Sequence, residues 1–369
     1  MEKTKYYSYK NNQLTKGCQL CVEGKKLVLF ITGLCNKSCW YCPLSEEKYK
    51  KDVQFANERT INTDQDLIEE AKTMQACGVG ITGGDPLKRL DLTLHYITLL
   101  KTKFGQNFHI HLYTSPESIT KEILERLELL DEIRLHPDLE DKKYWKNLEL
   151  LSYFKNLKGI EIPLIPSLEK ETFELIEYVK NKINFINLNE LEIAHTEHNK
   201  VLDLGFQVKE EFSYAVKESE ELGKKILEKY SNLNIHLCTA KLKDKVQLGN
   251  RIKRQARFSS HRFDIITRDG SLIRGAIYLE KPSFNYRDEL KKKNKEEEIK
   301  RLKKFREIIT KKLQCAKKDL FIDKIKYRFL VSSKFIRKHQ NEIKELDLIP
   351  AIVEEYPSYD MFEIELDFL

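Results

Sequence analysis

Short apolar, β-prone runs recur along the first two-thirds of the chain. Leu27–Ile31, Val79–Thr82, His109–Tyr113, Glu132–Leu135, Gly159–Leu164 and Glu190–Ala194 each span four to six residues. Between them lie longer stretches whose apolar positions recur at helical spacing, among them Thr63–Ala76 and Leu87–Phe104. Thr63-Asp-Gln-Asp opens the first of these with a capping-box-like start. Runs this short, interleaved with helical stretches, predict parallel βα units. Six strands on that pattern predict an α/β fold up to about residue 195.

The pattern then changes. Lys209 to Tyr230 reads as a mostly polar helix, followed by a strand at Leu233–Cys238. Lys241–Arg262 carries eight Lys or Arg against the single acid Asp244. In it Gln247, Arg251, Arg254 and Phe258 recur at helical spacing and form a basic stripe. Phe263–Tyr278 predicts a β-hairpin around Asp269-Gly270. A charged surface helix is expected over about 287–313, with Lys and Glu on all faces, and two more β-prone runs at Tyr327–Val331 and Met361–Leu369. The expected organisation is a lead-in over 1–24, an α/β domain over 25–240, and an α+β extension over 241–369 that packs on it.

Composition narrows the class. The chain is 41% hydrophobic and 33% charged, as in ordinary globular proteins. No apolar run approaches the ~20 residues of a membrane span, and the polar N-terminus lacks the apolar stretch of a signal peptide. Eight cysteines without an export signal point to the reducing cytoplasm, where thiols bind metal or pack. A net charge of +7 permits an anionic partner without requiring one.

The cysteines carry the chemistry. Cys35, Cys39 and Cys42 follow the first strand as Cys-x3-Cys-x2-Cys. Three thiolates on such a loop can hold three irons of a four-iron cluster and leave the fourth open to a small molecule. The competing reading is a partial zinc site, which normally wants four ligands in two close pairs. A second motif favours the cluster: Val79–Thr82 ends in Gly83-Gly84-Asp85-Pro86, whose glycines allow close backbone approach while the proline fixes the turn. Together the two motifs resemble the radical S-adenosylmethionine (radical SAM) superfamily, specifically over about 30–90. The Gly-Cys-x2-Cys lead-in, Phe-Ile-Thr-Gly-x-Cys strand and Tyr-Cys-Pro-Leu-Ser exit further resemble an archaeal-type group related to pyruvate formate-lyase activating enzymes.

The resemblance implies a partial, open (β/α)6 TIM-like barrel, a 4Fe-4S cluster and SAM. The open iron would bind the methionyl amino and carboxylate groups, and one electron would yield a 5′-deoxyadenosyl radical that abstracts hydrogen. It places Tyr41 near the adenine and the strand-end backbone of Gly83, Gly84, Asp85 and Pro86 at the SAM amino group; aspartate stands where the family commonly has glutamate. Ligand residues in such barrels gather at strand C-terminal ends. That rule selects Tyr113, Thr114 and Ser115, then Arg134 and His136, Pro163, and His195 and His198. Thr114 and Ser115 suit SAM hydroxyls or carboxylate, although Ser115-Pro116-Glu117 is also an ordinary helix cap. His136 suits SAM or substrate, with a turn histidine as the bland alternative. His195 and His198 read more simply as solvated loop residues.

Cys18 and Cys21 form a Cys-x2-Cys half-site, with Cys238 as the best distant partner. They define a candidate auxiliary centre, zinc or a second iron–sulfur cluster, weighed against free thiols. The pair is expected at the end of the first strand away from the radical cluster. An anionic small molecule is the expected substrate, with ferredoxin or flavodoxin as electron donor. RNA modification through the basic stripe, or an interaction protein without SAM chemistry, are the alternatives. Activating enzymes are typically much shorter, so the long extension weighs against glycyl-radical activation itself.

Overall fold

A computed structural model describes residues 1–369. The chain forms two compact units, residues 1–251 and 252–369. Seven strands of the first unit run parallel: β1 (Lys26–Phe30), β2 (Gly78–Thr82), β3 (His109–Thr114), β4 (Glu132–Leu135), β5 (Leu157–Leu164), β6 (Phe185–Glu190) and β7 (Ile235–Cys238). Each pairs with the next in sequence, and short antiparallel strands extend both edges without joining them. The result is an open, mostly parallel α/β sheet of the partial TIM-like kind. No helix is long and apolar enough to cross a membrane.

The strand count and one strand's place differ from expectation. There are seven parallel strands, not six, because Ile235–Cys238 joins the run beside β6. The sixth strand is Phe185–Glu190, while Glu192 to Ala194 make only an isolated bridge from Glu192 to Ala215. Phe-Ile-Asn-Leu-Asn-Glu reads as half loop because its asparagines interrupt the apolar run. In the fold Asn187 and Asn189 donate to Glu161 at 2.9 Å each, which satisfies both. The polar helix expected from Lys209 is regular only over Ser219–Lys229. Thr63 does cap its helix, with both arms of a capping box present.

Strand alternation sorts the first unit's interior into two chemistries. Leu27, Leu29, Val79, Ile81, Ile110, Leu112, Ile133, Leu135, Ile160, Ile162, Ile186, Leu188, Ile235 and Leu237 form the apolar core on one face. The intervening positions are Lys26, His109, His111, Tyr113, Glu132, Arg134, Glu161, Asn187, Asn189, His236 and Cys238. Into that polar face fits a short helix α1 (Lys16–Val22), capped by the Thr15 hydroxyl. A methyl group on Gly17 would lie 2.7 Å from Arg134 Nη2, 2.7 Å from His111 Nδ1 and 2.9 Å from Glu132 Oε2. Glycine is what lets the helix seat there. The lead-in is thus part of the first unit. Residues 241–251 also belong to it: Asn250 donates to the Val22 carbonyl at 2.7 Å, and Arg251 pairs with Glu58 at 2.8 Å.

This polar face predicts a pH response. Burial, then Lys26 and Arg134, depress His109 from 6.5 to about 3 and push His111 well below its ordinary value. Both rings are neutral when folded, whereas in the unfolded chain they take up protons near pH 6.5. The unfolded state binds the extra protons, so this stability is fully present above about pH 6.5 and is lost as pH falls toward the folded values. Urea midpoints should therefore drop between about pH 7.5 and pH 5, less steeply in His109→Gln. A profile that is flat over that window would mean the rings are charged inside the fold.

The second unit is an antiparallel sheet centred on Leu272–Tyr278, flanked by Arg328–Val331 and Ile349–Glu355. The expected hairpin is present but lopsided: only Ile265–Ile266 pairs before the turn, where Gly270 takes φ +93°. The long charged helix is two helices, Tyr286–Lys292 and Lys295–Lys312, with Asn294 capping the second. Its Leu302 and Ile309 are fully buried, so it has a core face rather than lying polar all round. Ile349–Glu355 is a strand that the sequence pattern did not single out.

Candidate active site

The site is built at the C-terminal ends of β1 and β2. Phe30 pairs with Thr82, and the chain beyond continues side by side: Gly84 N–H donates to the Thr32 carbonyl at 2.7 Å and Asp85 N–H to that of Leu34 at 2.8 Å. The Gly83 and Gly84 carbonyl oxygens are then the groups that can receive an amino group. A methyl on Gly84 would meet the Gly33 and Leu34 oxygens at 2.6 Å, so this close approach requires glycine. Gly33 in turn closes the next loop at its base, donating to Lys51 O at 2.7 Å and accepting from Lys50 N–H at 3.1 Å.

Cys35, Cys39 and Cys42 lie on this tied loop and are all half-buried. Burial raises each thiol above its ordinary value. A metal must therefore displace protons to bind, as thiolate ligation requires. No three His, Cys, Asp or Glu side chains converge on a point suited to a single metal ion. Three thiols spread over one anchored loop fit a polynuclear iron–sulfur cluster in number, type and access.

Around this loop the expected residues take definite places. Tyr41 meets His136: its hydroxyl is 3.0 Å from Nε2, and the rings tilt at a centroid distance of 6.1 Å. His136 Nδ1 faces the Glu161 carbonyl at 3.0 Å, and Lys37 Nζ donates to the His136 carbonyl at 3.2 Å. Burial, reinforced by Lys37, lowers the His136 ring to about 4, so it is neutral near pH 7. Asp85 is a buried hub that accepts from Thr114 Oγ1 at 2.7 Å, Ser118 Oγ at 2.6 Å and Leu87 N–H at 3.1 Å. Ser115 caps the following turn by accepting from Glu117 N–H at 3.2 Å. Thr114 and Ser115 therefore lock the end of β3 to the end of β2. His198 stacks on Tyr49 of the cysteine loop at 3.7 Å, while His195 is exposed.

Arg134 and Tyr113 sit deeper, on the polar face of the sheet. Arg134 Nη1 reaches Glu161 at 2.7 Å and Tyr113 OH at 3.1 Å, and its Nε reaches Glu132 at 2.5 Å. Its Nη2 is 3.4 Å from Cys18 Sγ, which also takes Asn187 Nδ2 at 3.3 Å. Burial alone would raise the Cys18 thiol, but Arg134 and then His236 bring it down to about 7. Cys21 is raised to about 12 by burial. Cys238, capped by Gln247 at 3.7 Å, is likewise raised. His236 is closer to Cys18 than its place in the sequence suggests, and both its ring nitrogens are buried.

Sequence reasoning missed the irregular excursion over 194–218. It touches the cysteine loop: Lys200 N–H donates to Trp40 O at 2.7 Å, and Phe206 stacks on Trp40 at 5.5 Å. It also exposes Leu202, Leu204, Val208 and Phe212. Three of the eight Lys or Arg over 241–262 make ion pairs, Lys243 with Glu192 at 2.6 Å, Arg251 with Glu58, and Arg262 with Asp319.

An anchored three-cysteine loop beside a glycine-lined strand end, on an open parallel sheet, defines a class. Residues 29–143 match the Radical SAM superfamily, and the chain belongs to it. It is a radical SAM enzyme whose cofactors are a 4Fe-4S cluster and S-adenosylmethionine. At finer grain the chain is similar to a protein of Methanocaldococcus jannaschii named as a candidate glycyl-radical enzyme activating enzyme. The two are 41% identical over 299 residues, 78% of each chain.

Proposed function

We propose that this protein activates a partner enzyme by abstracting hydrogen from a glycine Cα of that partner. The observation that carries this reading is the 41% identity spread over 78% of both chains. Equal coverage implies similar lengths, so a chain this long no longer weighs against activation. Exposed Leu202 and Leu204, on the segment whose Lys200 and Phe206 touch Trp40 of the cysteine loop, support a protein partner over an anionic small molecule. The pairing of Lys243, Arg251 and Arg262 removes part of the basic run on which the RNA reading rests.

In this reading Cys35, Cys39 and Cys42 hold the cluster, and the Gly83 and Gly84 carbonyls take the SAM amino group. When bound there, a reduced cluster would supply the electron for reductive cleavage of SAM, the chemistry by which hydrogen would be removed from the partner's glycine. Asp85, Thr114 and Ser115 keep the two strand ends together under the ligand. His136 and Tyr41 brace the loop from the side of β4. A ferredoxin or flavodoxin in the reducing cytoplasm is the proposed electron source, in keeping with eight free thiols.

The test uses reduced, cluster-loaded protein, SAM, and fractions from cells of the source grown on Cα-deuterated glycine. The protein fraction should transfer deuterium into 5′-deoxyadenosine and develop a glycyl-radical resonance. Stimulation by the RNA or small-molecule fraction, with none by the protein fraction, would overturn the proposal.

A further inference from the structure

The cysteine loop is closed at its base by the Gly33 bonds to Lys50 and Lys51, which leaves the backbone between them to be ordered by other contacts. One set comes from β4 and the turn after it. Lys37 reaches the His136 carbonyl at 3.2 Å, the Tyr41 hydroxyl meets His136 at 3.0 Å, and Trp40 Nε1 donates to Glu140 at 3.1 Å. A second set comes from a single stretch of the 194–218 excursion. Glu197 N–H donates to Glu46 Oε1 at 2.9 Å, His198 stacks on Tyr49 at 3.7 Å with ring planes 6° apart, and Lys200 N–H donates to Trp40 O at 2.7 Å. Phe206 lies on the Trp40 ring at 5.5 Å and 14°. The stretch is itself pinned: Val201 is fully buried in the apolar core, and its carbonyl accepts from Phe206 N–H at 3.3 Å.

We propose that residues 197–206 form a strap that holds the cysteine loop in its ligating conformation before the cluster arrives, with Phe206 as a positioning residue acting through Trp40. This rests on Cys35, Cys39 and Cys42 being the cluster ligands, and not on the identity of the substrate. Trp40 follows Cys39 directly in the chain, so fixing its ring and its carbonyl fixes the backbone that carries Cys39 and leads to Cys42. Ordering a loop costs conformational entropy for every residue held. With the strap in place that cost is met by packing in the folded protein rather than by the binding of iron.

The experiment follows amide hydrogen exchange in the full-length iron-free protein, then the loss of iron to a chelator from the loaded protein. Phe206→Leu keeps an apolar side chain and removes the ring. Exchange over residues 40–49 should quicken about three- to tenfold while the parallel strands are unchanged, and iron should leave faster by a similar factor. Phe206→Tyr keeps the stack and should restore both rates. In a Trp40→Leu background the stack's partner is gone, so Phe206→Leu should change neither rate further. His198→Leu removes the other stack and should quicken exchange over the same residues, which keeps the test open if Phe206→Leu does not fold. The proposal is overturned if residues 40–49 are unprotected in the wild-type protein, or if the quickening is confined to residues 200–206. It is equally overturned by an effect that persists in the Trp40→Leu background, or by faster exchange with no faster loss of iron. A wild-type protein that takes up no cluster at this loop would refute the ligand assignment, and the proposal with it.

Discussion

Replacing Cys35, Cys39 and Cys42 together with alanine should abolish reductive cleavage of SAM, with 5′-deoxyadenosine falling to the level of protein-free reactions. The fold should survive, because the loop's anchors at Gly33, Lys50 and Lys51 are backbone bonds that none of the three thiols makes. Far-ultraviolet circular dichroism would confirm that, and iron analysis would show the loss of the cluster. Cleavage that persisted in a folded triple variant would sink the assignment of these ligands. The same preparation addresses Cys18, Cys21 and Cys238. Zinc or iron retained after the triple substitution would mark a second centre at those thiols, and a metal-free protein would make them ordinary packed cysteines.

The second large effect lies deeper. Arg134→Met should destabilise the first unit by about 3–5 kcal/mol, read as a fall in the urea midpoint. The substitution keeps volume but strands Glu132, which is fully buried, and Glu161, whose carboxyl Arg134 holds below its ordinary range against the cost of burial. Total stabilities are about 5–15 kcal/mol, so the loss is a large share. The companion variant Arg134→Met/Glu132→Gln/Glu161→Gln should recover much of it, because no charge is then left uncompensated. A loss under about 1 kcal/mol in Arg134→Met would mean water reaches these carboxylates.

The cluster loop and the glycine-lined strand end were legible because spacing alone dictates them: Cys-x3-Cys-x2-Cys and Gly-Gly-Asp-Pro need no tertiary context to be recognised. Most strands were also readable, since one face of each is apolar. The last two parallel strands were harder. In β6 the asparagines look like a loop until Glu161 and Cys18 are seen beside them. β7 was read as a strand, but its place in the parallel sheet was not, because His236 and Cys238 face inward where a sheet buried on both faces would ordinarily place apolar residues. Thr114, Ser115 and His136 were correctly marked as strand-end residues. Their partners were not readable, because Asp85 lies 29 residues from Thr114 and Glu161 lies 25 from His136. The placement of Cys18 beside Arg134 and His236 likewise depends on α1 entering the sheet, which no local pattern announces.

That entry sets a timetable for biosynthesis. Tyr9 to Asn11 pair with β7, Asn11 donates to the Leu227 and Tyr230 carbonyls, and the Thr239 hydroxyl donates to Tyr7 O. The earliest residues made thus find their partners among those made some 230 positions later. At ribosomal rates of roughly 5–20 residues per second, Tyr7 and Asn11 wait on the order of ten to fifty seconds for their partners. The long separation also places these edge contacts late in folding, after their loop-closure entropy has been met. A nascent chain halted before residue 235 would lack β7 and so leave Tyr9 to Asn11 without the strand that they pair with.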